Sequence, residues 1–446
     1  MEAEAITPGD LARLRDEAER VFSLNEVEDG EVYYHMPSCH HYPSLFAWDS
    51  CFHAVAMTRL DPERAARELE TLMAQVEEGG RLPHEVLLPN RYSHRWMRGL
   101  QTKLVRWEYD GRGASFMIDP PVFGYAALRV FQATGDLEWL RGIWKNLVLA
   151  MDYLFRERAL GCDGLICIFH PWESGTDMSP QFFSLMGIDG RRGLKDSWRA
   201  YLKPTALYVY NFRRGWDPAE LLKAERFVAR DLTVNSLAIR SCLSLSRLAS
   251  ELGSSDQAEK YACLASRLAR AMDELCWDER EGLYFPLVGG ENPVQVKVPT
   301  AASLLPLFGG LCEAGKAKRL VEEHLLNQRE FWQDHGVPFN PHDRLVGVPE
   351  WREDHLWSGH CIWINFCWML CLGLLEHEYV EEARALAARV IRMVLREGFF
   401  EFYDSRTGQG KRIRDFCWPA LAMDMAAFCF PEEWEDSFQF DSEGGL

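Results

Sequence analysis

Apolar residues along this chain recur with helical spacing, and the helices they predict are of two alternating kinds. Between Asn235 and Leu252 apolar side chains fall almost all round the helix, at Leu237, Ile239, Cys242, Leu243, Leu245 and Leu248. Gly253 and the capping candidates Ser254, Ser255 and Asp256 then break the run. The next stretch keeps a stricter stripe through Ala258, Tyr261, Ala262, Leu264, Ala265, Leu268, Met272 and Leu275, with charges between them. The first pattern predicts a helix buried on most sides, the second a helix with one face in water.

The couplet repeats. Val122 to Ala133 is broadly apolar, and Gly135 and Asp136 restart an amphipathic run from Leu137 to Phe155. Trp363 to Leu375 is almost wholly apolar, and the run from Tyr379 to Leu395 places Ala383, Leu386, Val390 and Val394 on one side. Alternation of buried and half-buried helices is the logic of a double-layered helical toroid, an all-α fold. Six couplets over 446 residues average roughly 70 residues each, enough for a helix pair and long loops. An open helical solenoid is the rival, though it normally keeps a tighter repeat. With no linker or low-complexity tract, the chain reads as one domain over 1–446. Loop excursions near 80–118 and 178–230 are expected to cover one rim. Three outer runs end alike, at Asp163-Gly164-Leu165-Ile166, Glu281-Gly282-Leu283-Tyr284 and Glu397-Gly398-Phe399-Phe400, which predicts short β-hairpins gathered on that rim.

A net charge of −18 argues against nucleic acid or an anionic membrane as partner. Thirteen cysteines are scattered without a C-x-x-C pair, and Cys242, Cys263, Cys367 and Cys371 fall within predicted helices, so buried free thiols in a reducing compartment are expected. The first ten residues lack a basic, then apolar, leader, and no apolar run reaches membrane-spanning length. A soluble cytoplasmic protein is the expectation; homo-oligomerisation is left open.

The densest chemistry lies at Phe169-His-Pro-Trp-Glu-Ser-Gly-Thr-Asp-Met-Ser-Pro180, which gathers Trp172, Glu173, Gly175 and Asp177. Carboxyls to move protons beside an indole to stack on a pyranose are what a sugar-cleaving site needs. A surface loop with a solvated Asp is the plainer alternative. Glu401, in Phe399-Phe-Glu-Phe-Tyr403, is flanked by aromatics that would hide it from water and tune its proton affinity; alternatively it pairs with Arg412 or Arg414. Further aromatic and polar clusters stand where inner helices begin: Trp48-Asp49, Trp357-Ser-Gly-His360 through Trp363, and Phe416-Cys-Trp418. Sixteen tryptophans, many in such polar segments, favour an aromatic-lined pocket over core filling. No histidine falls in a zinc motif, and phosphate-binding Gly-rich loops and the Gly-x-Ser-x-Gly elbow are absent, so neither metal nor cofactor is expected.

Trp48 to His53, Asp119-Pro-Pro121, Trp172 to Pro180, Asp231 with Asn235, and Glu401 to Gly410 closing at Phe416-Cys-Trp418 occur in order. In these the chain, from about residue 30 to residue 425, resembles glycoside hydrolase family 63, particularly its compact bacterial hydrolases of mannosylglycerate and glucosylglycerate. The resemblance implies an (α/α)6 barrel, with six inner and six outer helices, and inversion at the anomeric carbon. It implies Asp177 as general acid and Glu401 as general base. Trp48, Asp49, Trp172 and Trp418 would shape the sugar subsite, with Tyr34, Glu173, Gly175, Trp357, His360 and Trp363 also expected to contact substrate. Where the family often has Arg-Gly-Pro this chain has Ser358-Gly359-His360, and for Met-Asp-Asn it has Thr176-Asp177-Met178, which leaves the preferred sugar open.

Against the acidic whole, residues 88–112 hold six basic residues, including Arg91, Arg95 and Lys103, and residues 191–214 hold seven, including Arg213. Such a reversal of sign suits an anionic aglycone such as glycerate, which a guanidinium grips through two hydrogen bonds. Tyr92, Gln101 and Tyr208 are weaker contacts in the same loops. Pairing with acidic neighbours elsewhere is the alternative. The expected function is therefore an inverting α-glycosidase acting on a small α-glycoside. Its rivals are an α-glucosidase acting on neutral saccharides, a sugar isomerase of the acylglucosamine 2-epimerase kind using His355 and His360, and a sugar-binding protein without catalysis.

Overall fold

The computed structural model describes residues 5–91, 105–188, 194–345 and 356–439, with backbone only over 194–201. Six inner helical segments close a ring: Ala47–Met57, Phe123–Thr134, Leu232–Glu251, the short Ala301–Leu304 and Pro306–Gly309 pieces, Ile364–Glu376 and Leu421–Cys429. Each packs on the next and the last returns to the first. Outside them lie Pro62–Met73, Leu137–Tyr153, Ser255–Leu275, Ala314–Arg319 running on to Leu325, and Val380–Glu397. The sixth outer position is taken by the N-terminal helix Pro8–Asn25, which packs on the last inner helix and so closes the outer layer. The architecture is an (α/α)6 barrel.

Sequence explains the two layers. In Ile364–Glu376 every residue from Ile364 to Leu374 is buried, whereas Val380–Glu397 buries Ala383, Leu386, Ala387, Val390, Ile391 and Val394, the three-and-four spacing of a one-sided helix. Neighbouring inner helices touch backbone to backbone at Gly124, where a Cβ would stand 2.7 Å from the carbonyl oxygen of Ser241. A buried knot ties the ring together: Asp424 accepts from both terminal nitrogens of Arg129, from Arg59 Nε at 2.8 Å and from Trp368 Nε1 at 2.8 Å.

Two of the three expected hairpins form. Trp277–Asp278 pairs with Leu283–Tyr284, and Phe400–Asp404 pairs with Gly410–Arg414 and with Cys361–Ile362 in a three-stranded antiparallel sheet. The first does not: Ile168 makes a single bridge to Ala229, the residues after Gly164 being drawn toward the next inner helix instead. All thirteen cysteines are free. Cys242, Cys367 and Cys371 are buried as expected, but Cys263 is exposed because it lies on the outward face of its outer helix. Among the described residues no helix is long and apolar enough to cross a membrane.

Candidate active site

The ring is open at the end where inner helices begin, so their N-terminal turns, with partial positive charge, form the floor of a cavity. Trp48 and Asp49 come from the first turn of Ala47–Met57, Asp119 from just before Phe123–Thr134, Trp363 from the cap of Ile364–Glu376 and Trp418 from the turn leading into Leu421–Cys429. Gly175, Asp177, Trp357 and Glu401 reach it from loops and from the three-stranded sheet, and its cavity volume is about 90 Å³. Aromatic rings make its wall. Trp357 and Trp363 stack at 3.8 Å and 7°, and Trp418 stands edge-on to Trp48 at 5.2 Å. The flat faces offered by these indoles suit the C–H surface of a sugar ring.

Local geometry aims Asp177. Pro171–Ser174 makes one 3-10 turn that ends at Gly175 with φ +67°, and Ser174 Oγ holds the turn through Pro171 O and the Thr176 amide. A Cβ on Gly175 would lie 2.5 Å from the Trp48 indole, so only glycine fits there. Asp177 is half-buried in the cavity wall. Burial pushes its carboxyl up to about 7 and Asp49 adds to the rise, while Arg412 opposes it.

Glu401 sits in the strand Phe400–Asp404 and is buried. Tyr42 Oη donates to its Oε1 at 3.0 Å, and Arg412 Nη1 donates to the same oxygen at 2.8 Å. Oε2 has no hydrogen-bond partner among the described residues. Burial pushes Glu401 up to about 7 despite Arg412 and Tyr42, with Asp177 reinforcing the rise. Both carboxyls are therefore poised near neutrality, and Glu401 has two side-chain donors that favour its anion.

Two more carboxyls line the same cavity. Asp119 Oδ2 accepts from the Trp48 amide at 3.0 Å, fixing the start of the inner helix, and burial holds its carboxyl well above the usual range. Asp49 is pushed by burial to about 7, with His53 working the other way. His84 also faces the cavity, and burial lowers its imidazole to about 4, so it is neutral at pH 7. Tyr42 and His84 carry no motif that sets them apart in the sequence, whereas Phe46 and Phe416 adjoin the Trp48 and Trp418 clusters. Asp119 is visible there in Asp-Pro-Pro but shows no role, and Arg412 reads only as a competing partner for Glu401.

Five residues expected at the subsite lie elsewhere. Trp172 packs in a satellite apolar cluster with His170 and Tyr208, ring centroids 5.4 Å from each, because the 3-10 turn sends it away from Asp177. Glu173 is fully buried and accepts from Arg158 at 2.8 and 3.0 Å, from the Ile118 amide at 3.1 Å and from the Phe169 amide at 2.6 Å. It is a joint between loops with no lone pair left for a ligand. Tyr34 is buried, its hydroxyl accepting from Asn90 at 3.1 Å. His360 turns to His342, ring centroids 4.9 Å apart, and to Ser405. Arg213 is exposed just beyond the end of the helix Leu194–Phe212. Tyr92, Gln101 and His355, with Arg95 and Lys103, lie outside the described residues, whereas Arg91 bonds the Leu24 carbonyl and Arg112 pairs with Asp110 and Glu77. Among the described residues no group of three or more His, Cys, Asp or Glu is placed to hold a metal ion.

Comparison with known proteins fixes the family. The model of the mannosylglycerate hydrolase MGH1-like glycoside hydrolase domain matches residues 42–419. The chain belongs to this glycoside hydrolase family. Within it, the chain is 28% identical over 421 residues to a mannosylglycerate hydrolase of Rubrobacter radiotolerans, covering 87% of this chain and 92% of that one. It is 23% identical over 413 residues to a glucosylglycerate hydrolase of Mycolicibacterium hassiacum, covering 86% and 91%. The crystal structure of the GH63 mannosylglycerate hydrolase of Thermus thermophilus with Tris and D-glycerate superposes with TM-score 0.76 at 26% identity, over 92% of this chain and 99% of that one.

Proposed function

We propose that this glycoside hydrolase cleaves a glycosyl-glycerate with inversion, Asp177 acting as general acid and Glu401 as general base. The observation that carries the reading is the asymmetry of two carboxyls in one tryptophan-walled cavity: Glu401 is clamped by Arg412 and Tyr42 on one oxygen with the other unpartnered, while Asp177 is pushed up by burial. In the reaction, Asp177 gives its proton to the glycosidic oxygen as the bond to the anomeric carbon breaks. Glu401, through Oε2, takes a proton from the water that attacks the opposite face. The cycle ends with Asp177 ionised, Glu401 protonated, a β-sugar and free glycerate, and one proton passed back through solvent resets the pair. A separation of about 6.5–9.5 Å between the carboxyls, with room for that water, belongs to this reading. The indoles of Trp48, Trp357 and Trp418 meet the sugar, Trp363 backs Trp357 from behind, and Asp49 accepts from the sugar hydroxyls. The relatives named for mannosylglycerate and glucosylglycerate support glycerate as the leaving group.

The test offers mannosylglycerate, glucosylglycerate, trehalose and maltose to the enzyme and follows the first turnovers by proton NMR. A glycosyl-glycerate is expected to give the β-anomer first. Initial appearance of the α-anomer would remove the inverting assignment, and cleavage of neutral disaccharides alone would remove glycerate.

A further inference from the structure

The inner helix Ala47–Met57 carries Trp48 and Asp49 into the cavity on its first turn, yet it has no cap of its own. Its N-cap residue is Phe46, which offers no side-chain oxygen. The first amides of a helix find no acceptor within it, so they must be satisfied from outside. The Ala47 amide donates to the His84 carbonyl at 2.9 Å. The Trp48 amide donates to Asp119 Oδ2 at 3.0 Å, across 71 positions of chain. Asp119 thus caps this helix from another element.

Asp119 stands on a stiff mount. Two prolines follow it, which fix their own φ and confine the residue before them to extended backbone. The Pro121 carbonyl accepts from Ser241 Oγ on the inner helix Leu232–Glu251, and the Ile118 amide donates to Glu173 Oε1 at 3.1 Å. Asp119 is buried and its Oδ1 is unpartnered, so among the described residues the Trp48 amide makes the one hydrogen bond to its side chain. An amide donates to Oδ2 whether or not Oδ1 carries a proton, so this contact does not depend on the state of the carboxyl. The contacts then close a ring. The Trp48 indole lies so near Gly175 that a Cβ there would stand 2.5 Å from it. Gly175 ends the turn Pro171–Ser174, which contains Glu173, and Glu173 returns through the Ile118 amide to the neighbour of Asp119. Asp177 lies two residues beyond Gly175, so the indole that walls the sugar site and the carboxyl that faces it are set by one circuit.

We propose that Asp119 is a positioning residue for Asp177: by holding the Trp48 amide it keeps the indole against Gly175 and so fixes the direction of the Asp177 carboxyl. Its bearing on proton transfer rests on the function proposed above, in which Asp177 is the general acid; the geometry does not. Removing the acceptor frees the first turn of the helix, lets the indole retreat from Gly175 and leaves Asp177 without its brace.

The experiment gives Asp119→Ala, Asp119→Asn and Asp177→Asn a glycosyl-glycerate and a dinitrophenyl glycoside of the same sugar. Both Asp119 variants remove the ionisable carboxyl and only Ala removes the acceptor, so the difference between them reads the bond to the Trp48 amide. Asp119→Ala is expected to lose kcat about tenfold or more on the glycosyl-glycerate but less than about threefold on the dinitrophenyl glycoside, whose leaving group departs without a proton. Asp119→Asn should recover about fivefold or more of the loss on the glycosyl-glycerate. Equal kcat for the two Asp119 variants overturns the proposal, as does equal loss on the two substrates where Asp177→Asn discriminates between them. Should Asp119→Ala not fold, Asp119→Ser, polar but too short to reach the amide, takes its place. If Asp177→Asn itself loses both substrates equally, the acid reading fails alone. The crystal structure of the Ala or Ser variant then decides the geometry: a Trp48 indole withdrawn from Gly175 with Asp177 turned supports the proposal, and both in their native places overturn it.

Discussion

Arg412 faces Glu401 across a β-bulge and holds its Oε1 at 2.8 Å. Between Phe400 and Phe402 the strand advances two residues while its partner goes from Arg414 to Lys411, three, so Arg412 and Ile413 together oppose Glu401. The extra residue is accommodated with Arg412 at φ +66°, a left-handed conformation that a non-glycine residue adopts only against strain of roughly 1–3 kcal/mol. A bulge beside an active site re-aims one side chain, and here the side chain re-aimed is the cation that favours the anion of Glu401, the proposed base.

Replacing Arg412 by Gln should therefore shift the pH profile as well as lower the rate. As the proposed base, Glu401 would have to be ionised to accept a proton from water, and Arg412 lowers both Glu401 and Asp177. Without it both carboxyls titrate higher, so the acidic limb of kcat/KM moves to higher pH and the alkaline limb follows by less, because only Glu401 loses a direct hydrogen bond. A pH–rate series on the purified variant checks this, and an acidic limb that stays in place would contradict the assignment of Glu401 as base.

Asp177→Asn tests the proposed general acid separately from the other cavity residues. Hydrolysis of a glycosyl-glycerate should fall roughly 10²–10⁴-fold, the usual contribution of a positioned acid. A dinitrophenyl glycoside, whose leaving group departs without a proton, should lose far less. The same change should stabilise the fold in a pH-dependent way. In the native protein Asp177 titrates at about 7 against an ordinary 3.8, so between those values the folded chain holds a proton the unfolded chain has released. Stability thus falls as pH rises from about 4 to about 7, and the Asn variant escapes that loss. A half-buried carboxyl is partly screened, so a gain on the order of 1–2 kcal/mol at pH 7, fading toward pH 4, is expected from thermal denaturation at several pH values.

How much of this was legible depends on whether the cause was local. The inner helices announce themselves because burial on every side leaves no polar stripe, as in Ile364–Glu376, and the cavity tryptophans because they stand where those helices begin. The partners of Glu401 do not. Tyr42 is 359 residues away along the chain, and Arg412 reaches Glu401 only through a bulge set by one backbone angle. Trp172 and Glu173 mislead for the opposite reason. Neighbours of Asp177 in sequence, they are turned away from it by a 3-10 turn that ends in a left-handed glycine.

Gly175→Ala tests that turn directly. The substitution meets two obstacles at once, a φ of +67° that an L side chain adopts rarely and a Trp48 ring within 2.8 Å of the new methyl at three atoms. Since the backbone and the indole must both move, a loss of roughly 1–3 kcal/mol in stability is expected. Activity should drop at least tenfold, because Asp177 and Trp48 are displaced together. Intrinsic tryptophan fluorescence, altered in Gly175→Ala at a temperature where the variant remains folded, would report the movement of the indole. A variant with native stability and activity would show that the contact is not what fixes Asp177.

The last prediction concerns Glu173, whose four hydrogen bonds make it a structural joint. It links Arg158, the Phe169 amide and the Ile118 amide, and the residue after Ile118 is Asp119, which in turn holds the Trp48 amide. Glu173→Gln leaves the Arg158 guanidinium buried without its counter-ion, a change that destabilises by about 3–5 kcal/mol in comparable sites. The double variant Arg158→Met with Glu173→Gln removes the stranded charge and should be more stable than Glu173→Gln alone. If Glu173 instead bound substrate, the single variant would keep its melting temperature and lose only affinity. Melting curves for the two variants, read beside KM, distinguish the outcomes. A stable Glu173→Gln with a raised KM would return this residue to the sugar subsite and require the loop around Asp119 to be positioned by something else.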